Sequence, residues 1–291
     1  MSAIRSAVIR ALDRPGGRRL LGHLATGFVR RATGRREVAV RFEDGYWVRT
    51  LGDGISVFDT TQFDFHTEGL RSWEEHDRVV RDVWLHAYDP RPGDVIMEVG
   101  AGTGLDLAVF SRAVGAGTVY GVEAHPRTFE MLQRTVAKSG LENIVLVHRA
   151  IADAGGTVRI QDQHHHTENR LLPPDGEGKG AWSSGKGFWE VTASTLDDLA
   201  EELGIVELDY LKMNIEGAES LAIRGMSGIL SKTERVCIAC HDFIGDEVDD
   251  DWYRTKDTVV EFLRDQGFDV TTRDSDHRPQ VRDQVWGVRS A

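Results

Sequence analysis

No stretch of the chain approaches about 18 consecutive apolar residues, so no membrane-spanning helix is expected. The first residues also lack the apolar run and small-residue cleavage site of a secretory leader, and the expected location is the cytoplasm. Cysteine is nearly absent, Cys237 and Cys240 being the only two, too few for a disulfide framework or a four-thiolate zinc site. Their Cys-x-x-Cys spacing matches a redox or zinc motif. The surrounding Arg235-Val-Cys-Ile-Ala-Cys-His241 reads as a strand, however, where residues three apart point to opposite faces, so both are expected to be structural. Positive charge is short as well, with 35 Lys and Arg against 47 Asp and Glu in 291 residues, a net −12. Residues 1–40 nevertheless carry nine Arg against Asp13 and Glu37, about +7, which leaves about −19 on the remainder. A body this acidic disfavours nucleic acid as a partner, because phosphate backbones call for a basic groove.

One more thing is missing, and it is informative. Val95-Ile-Met-Glu-Val-Gly-Ala-Gly-Thr-Gly104 reads as a strand running into a glycine turn, and Leu105-Asp-Leu-Ala-Val-Phe110 continues as a helix. This is the place in a doubly wound α/β sheet where a nucleotide-like cofactor docks. The dinucleotide fingerprint Gly-x-Gly-x-x-Gly is not met, since Leu105 stands where its last glycine belongs. The pattern is instead Glu-x-Gly-x-Gly-x-Gly, opening at Glu98. Residues without Cβ let a ligand approach the main chain, and the helix that follows aims free N–H groups at it. A second strand, residues 117–123, ends in Glu123, 19 residues beyond Gly104. Acidic residues about 20 positions after such a loop meet ribose hydroxyls, because a carboxylate can accept both hydroxyl hydrogens.

The rest of the chain arranges itself around these two strands. Residues 3–33 hold two basic amphipathic helices, Ile4, Val8, Ile9 and Leu12 on the first, Leu20, Leu21, Leu24, Phe28 and Val29 on the second. They are expected to cap the acidic body or a partner subunit, with weak association to an anionic membrane surface as the alternative. Residues 38–59 read as one or two hairpins and residues 63–88 as helical. The expected division is an amino-terminal cap, 1–84, and a core, 85–291. Pro126–Ser139 is expected as a helix, Asn143–Val147 as the third strand, and Thr157–Gln161 with Phe188–Val191 as a hairpin around a glycine-rich loop. His164-His165-His166 sits before that loop, where a substrate contact from His165 or His166 is more plausible than a metal. Ser194-Thr-Leu-Asp197 reads as a capping box. Leu208–Glu219 is a fourth strand running into a helix and Thr233–Phe243 a fifth. Phe268–Val270 and Gln284–Val288 close the chain as a hairpin, with no helix expected between them.

The Glu98–Gly104 loop, Ser194-Thr-Leu-Asp-Asp-Leu199 and Leu208-Asp-Tyr-Leu-Lys-Met-Asn-Ile-Glu-Gly-Ala-Glu219 together resemble the FkbM family of class I S-adenosylmethionine-dependent methyltransferases, over residues of about 68 to 290. The resemblance implies a seven-stranded mixed sheet with a carboxyl-terminal antiparallel hairpin, S-adenosylmethionine as cofactor, and a hydroxyl on a sugar or secondary metabolite as acceptor. It leaves the amino-terminal helical and β extension unexplained. The chain departs from the family pattern in three places: Glu98 opens a motif that usually reads Asp-x-Gly-Ala-Asn-x-Gly, Gly102-Thr103 replace its Asn pair, and Asn214 replaces the Asp of Lys-Ile-Asp-x-Glu-Gly. A general base supplied by that Asp would have to come from elsewhere here.

The expected site follows. Glu98, Gly100, Gly102 and Gly104 meet the methionine end of the cofactor, Glu123 the ribose, and Arg149 with Ala150 the adenine. Lys212, Asn214, His241 and Asp242 lie at the ends of strands four and five as the catalytic set, with Glu216 toward substrate. His241 is the expected base, since imidazole titrates near neutrality and Asp242 or Glu216 could orient it. No metal is assigned; Mg²⁺ held by Asn214 and Asp242 is the less favoured alternative. A non-catalytic cofactor-binding scaffold and a nucleotide-dependent oxidoreductase are the rival functions. The expected partner is a small molecule or glycan, and a homodimer is compatible with the sequence.

Overall fold

A run of strands that each break into a glycine or a capped helix can bury its apolar faces by stacking helices on both sides of one sheet. A computed structural model of the chain describes residues 9, 11–63, 72–162, 169–171 and 187–290. Strand β4 (Val95–Val99) leads to α3 (Leu105–Val114), β5 (Thr118–Glu123) to α4 (Pro126–Ser139), and then to β6 (Ile144–His148). Helix α4 starts where Pro126 suits a first turn and stops at Gly140, whose φ of 61° continues the chain in the left-handed region. After an excursion through β7 (Ala150–Ile151), β8 (Gly156–Gln161) and β9 (Phe188–Ser194) come α5 (Leu196–Glu202) and β10 (Leu208–Met213). Two single-turn helices, α6 (Glu219–Ala222) and α7 (Ser227–Leu230), precede β11 (Thr233–Ala239). The chain ends with α8 (Asp242–Val248), α9 (Lys256–Asp265), β12 (Phe268–Thr272), α10 (Pro279–Arg282) and β13 (Gln284–Arg289).

The principal sheet has seven strands in the order β12-β13-β11-β10-β4-β5-β6. Neighbours from β11 to β6 run parallel, while β13 pairs antiparallel with β11 and β12 antiparallel with β13. The expected α/β sheet with its terminal hairpin is therefore present. One detail differs: the hairpin connection contains α10, a single turn begun by Pro279, which the sequence reading left out. Strand order reverses between β4 and β10, and the crevice at their carboxyl ends is where ligands bind in such sheets.

Period-two alternation sends each strand's side chains to two cores. Ile96, Tyr210, Cys237 and Trp286 join Leu107 and Phe110 on one side; Met97, Leu211, Ile238 and Cys240 join Leu199, Val259 and Leu263 on the other. The two cysteines, both buried and free, thus lie in opposite cores as the strand reading required. The capping residue before α5 is Thr195, which accepts from the N–H of Asp198, one residue later than the sequence pattern suggested. Asp197 points away instead and accepts from Gly228 and Ile229 at the start of α7.

The amino-terminal part comprises α1 (Arg18–Thr33), a three-stranded sheet of β1 (Ala39–Glu43), β2 (Tyr46–Gly52) and β3 (Ile55–Phe58), and α2 (Trp73–Val83). The first of the two basic helices falls almost wholly outside the described residues. Leu21, Ala25 and Val29 of α1 pack on Val38, Val40 and Trp47. The sheet docks on α4, where Phe58 N–H donates to Thr135 Oγ1 at 3.0 Å and Ser56 N–H to Ser139 Oγ at 3.1 Å. Ion pairs across this contact are mostly reversed from the expected sense: Lys138 meets Glu43, Arg134 meets Asp44 and Arg112 meets Asp53, so the cap supplies the acids. The Arg-rich ends of α1 take no part in these pairs. Helix α2 opens with a full capping box, Ser72 and Glu75 each bonding the other's N–H. Its Trp73, Val80 and Val83 bury in the same core as β4 and α3, and the division drawn between residues 84 and 85 falls just after it.

Trp286, 1% exposed, anchors that helix by donating from Nε1 to the Val83 carbonyl at 3.2 Å. Trp286→Ala should cost about 3–5 kcal/mol in urea denaturation. Trp286→Phe, which keeps most of the ring volume and loses the bond, should cost nearer 1 kcal/mol.

Candidate active site

At the carboxyl end of β4 the backbone turns through Gly100, Gly102 and Gly104 with φ of 80°, 55° and 88°. These values lie in the left-handed region that L side chains rarely adopt. At Gly100 a side chain is also excluded by space, because a Cβ there would collide with the Asn214 carbonyl oxygen. The loop is pinned from the neighbouring strands. Gly100 and Ala101 N–H groups donate to the Val122 carbonyl at 2.9 and 3.0 Å, and Asn214 N–H to Val99 at 2.9 Å. Glu123 accepts from Gly102 N–H at 2.9 Å and from His125 N–H at 2.8 Å. Each carboxylate oxygen keeps a lone pair beyond these bonds, so the residue that braces the loop can still accept from a diol. Burial pushes its carboxyl up to about 7, against the pull of the same N–H groups.

Beneath the loop lies a pair that sequence reasoning assigned to two different roles. Lys212 Nζ sits 2.5 Å from Glu98 Oε1, the side chains 2% and 1% exposed. The ammonium also lies 3.6 Å from Asp106 Oδ2 and 4.4 Å from the centre of the Trp84 ring. His76 Nε2 lies 3.0 Å from Asp106 Oδ1. Burial favours the neutral form of Lys212, but Glu98 and Asp106 outweigh it and hold the lysine charged. Burial outweighs the pull of Lys212 and leaves the Glu98 carboxyl raised, to about 8. Glu98 Oε2 has no hydrogen-bond partner. Lys212 is thus part of the floor under the glycine loop and on the side of Glu98, not among the strand-end groups. Sequence reasoning missed His76 and Asp106; the one available signal was Asp106 standing two residues after Gly104, in the first turn of α3.

Across the crevice, β10 ends at Met213 and the chain runs through Asn214 into a turn at Glu216, a non-glycine residue with φ of 57°. The strain of such a conformation is carried by packing: a Cβ on the following Gly217 would lie 2.6 Å from the Tyr253 ring and 3.1 Å from Trp252 Nε1. Tyr253 in turn accepts from Arg170 Nη1 at 3.0 Å. His241 stands between two carboxylates, Nδ1 3.1 Å from Glu219 and Nε2 3.6 Å from Glu216. Glu219 is wholly buried and accepts from the N–H groups of Ile215 and Gly217. Burial works against the imidazolium, yet the two carboxylates win and raise His241 to about 10. The imidazole is accordingly charged at neutral pH, which conflicts with the expectation of a ready base. Glu219 was named only as part of a motif, although its spacing three residues after Glu216 is the signal that could have found it.

Asp242 does not orient His241. Its Oδ2 accepts from Thr255 and Lys256 N–H at 3.1 and 3.0 Å, capping α9. Among the described residues no three His, Cys, Asp or Glu groups converge as a metal site. Asn214 Oδ1 is buried and unpaired beside the loop. Arg149 forks to Glu202 at 3.2 Å through both terminal nitrogens, and its backbone N–H holds the Glu123 carbonyl. Ala150 lies in a buried apolar cluster with Ala152, Ala193, Ala218, Ile160, Leu171 and Val191, against which Ala124 and Ile215 pack. His165 and His166 lie outside the described residues. An open cavity of about 570 Å³ lined by Arg81, His86, Tyr88, Arg91 and Arg235 lies on the segments leading into β4 and β11, away from the glycine loop.

Residues 98–270 match the family model described as the methyltransferase FkbM domain. The 2-O-methyltransferase NoeI of Sinorhizobium fredii is 23% identical over 193 residues, 64% of this chain and 78% of that protein. A precorrin-6y C5,15-methyltransferase from Geobacter metallireducens superposes with a TM-score of 0.43 at 15% identity, covering 73% of this chain and 88% of that one. An Aeropyrum pernix fibrillarin with natively bound S-adenosyl-L-methionine does so with 0.41 at 18% identity, covering 87% and 99%.

The Glu123 carboxyl titrates at about 7 in the folded chain against 4.5 ordinarily, so between those values the native state binds the extra proton. Its contribution to stability is complete below 4.5 and is lost as pH rises through about 7. Glu123→Gln removes this titration. Thermal melts without ligand should show the variant gaining on the parent protein steadily across that interval.

Proposed function

The chain belongs to the FkbM methyltransferase family, and from that premise we propose that it methylates a hydroxyl oxygen on a sugar or other secondary metabolite. The methyl donor is S-adenosylmethionine, whose sulfonium methyl group would pass to the oxygen as the thioether leaves in line. The observation that carries the reading is what faces across the switch point: a glycine loop braced by Glu123 on one side, a charged His241–Glu216–Glu219 unit on the other. The 2-O-methyltransferase among the relatives supports oxygen as the acceptor atom.

In such a displacement the protein positions and desolvates two reactants, and a base matters because an alkyl hydroxyl is weakly acidic. Gly100, Gly102 and Gly104 let the main chain approach the donor, with Glu98 at its methionine end, Glu123 at the ribose, and Ala150 and the backbone of Arg149 beside the adenine. His241 already carries a proton, so it serves as the fixed positive partner and Glu216 accepts the acceptor hydroxyl's proton. With two carboxylates around one imidazolium, the unit keeps a net negative charge to receive it. Glu219 holds the imidazole ring, and Asn214, through its unpaired Oδ1, faces donor or acceptor. Cytoplasmic location and a small-molecule or glycan partner accompany this reading.

Incubation with S-adenosylmethionine and a panel of glycans and hydroxylated metabolites should yield one product heavier by a CH₂ group in mass spectrometry. Tight binding of S-adenosylhomocysteine with no product across the panel would favour a non-catalytic binder. On the acceptor so found, Glu216→Gln should lower kcat by about 10²- to 10⁴-fold, the range of general-base catalysis, while leaving S-adenosylhomocysteine affinity within a few-fold. An unimpaired kcat removes Glu216 as base.

A further inference from the structure

The segment that matches the family model begins at residue 98, yet two groups from before it reach under the glycine loop. Trp84 lays its ring 4.4 Å from Lys212 Nζ, and His76, on α2 and 8% exposed, contacts Asp106 at 3.0 Å. We propose that His76 is a positioning residue for the cofactor end of the site, acting through Asp106 and Lys212 to hold the Glu98 carboxylate with Oε2 free for the ammonium of the donor's methionine. The proposal rests on the reading that Glu98 meets that end of the donor.

The geometry divides one cation between two anions unequally. Asp106 turns Oδ1 to His76 and Oδ2 to Lys212, and the ammonium is left 3.6 Å from Asp106 but 2.5 Å from Glu98. Asp106 is the exposed member of the set, its side chain 21% open. Without His76 it has two ways to relax: swing Oδ1 to water, or close on Lys212 and draw the ammonium away from Glu98. The second course takes from Glu98 the contact that fixes Oε1, and His76 is what holds Asp106 back from it. With Oε1 fixed, Oε2 is a buried acceptor lacking a donor, and such an atom is satisfied by a ligand that brings an N–H. An ammonium brings three. Burial raises the Glu98 carboxyl and the lysine opposes it, so a second cation arriving at Oε2 favours the ionised form that binds it.

The test is a double-mutant cycle read by isothermal titration with S-adenosylhomocysteine, which carries the same ammonium. His76→Leu should weaken binding about tenfold, the equivalent of one lost polar contact. His76→Gln, which keeps an N–H toward Asp106, should restore affinity to within about threefold of the parent. Glu98→Gln should weaken binding by itself, and adding His76→Leu to it should cost nothing more, because both changes act on the same carboxylate. Unchanged affinity in His76→Leu overturns the proposal, as does full additivity with Glu98→Gln, which is what a merely structural helix contact gives. Should His76→Leu not fold, the isosteric Asp106→Asn decides: a tenfold loss absent on the Glu98→Gln background supports the relay, and parent affinity overturns it. If Glu98→Gln alone binds as the parent does, the reading of Glu98 fails rather than the relay only.

Discussion

A lysine ammonium and a glutamate carboxylate 2.5 Å apart, both shut off from water, join the two strands between which the sheet reverses. Removing two such charges from water costs several kcal/mol each, and their mutual attraction offsets that only if the remaining donors and acceptors are also satisfied. The surroundings of Lys212 and Glu98 follow from this demand. Asp106 comes from the first turn of α3 and Trp84 from the end of α2, and His76 reaches Asp106 from the same helix. The glycine loop sits on this assembly, so the shape of the donor site depends on contacts that begin well before the family-matching segment. Tyr210 strengthens the same link, its hydroxyl donating to the Trp84 carbonyl from one position along β10 on the same face as Lys212.

The opposite wall uses charge differently. There an imidazole is held between a fully buried carboxylate and a partly open one, and Glu216 sits in a left-handed turn that only dense packing sustains. Tyr253 and Trp252 close on Gly217, and Arg170 from the β8–β9 excursion fastens Tyr253. This wall is therefore assembled from four separate parts of the chain, whereas the glycine loop and Glu123 come from two adjacent βα turns set on groups from α2 and β10.

The donor side was accordingly the more legible. Alternate glycines announce a turn whose backbone needs φ above zero, and the structure has all three there. Glu123 was found by its distance along the chain, though its bonds to Gly102 and His125 show it also braces the loop before any ligand arrives. Asp242 could not be placed this way. Its neighbour His241 suggested a pair, but a carboxylate at a strand end serves whichever free N–H groups lie nearest, and those belong to α9. The charge of His241 was equally hidden, since it depends on Glu219, buried beside it from another strand's end. The cap gave a third lesson: a surplus of arginine in residues 1–40 pointed to a basic surface on an acidic body, while the docking pairs draw their acids from the cap.

By itself the sequence determined what is periodic or local: the alternation of strands and helices, the reversal of direction at the final hairpin, the separation of Cys237 from Cys240 and the position of the glycine turn. These rest on φ/ψ preferences and on side-chain alternation, which act over a few residues. Only the tertiary structure decided which carboxylate each cation faces, and therefore which groups are charged. Lys212 is sealed under the glycine loop against Glu98, while His241, just past β11, is held between Glu216 and Glu219. Electrostatic energy in a poorly polarisable interior depends on distances of a few ångströms between residues from about twenty to more than a hundred positions apart, and no spacing along the chain encodes those distances.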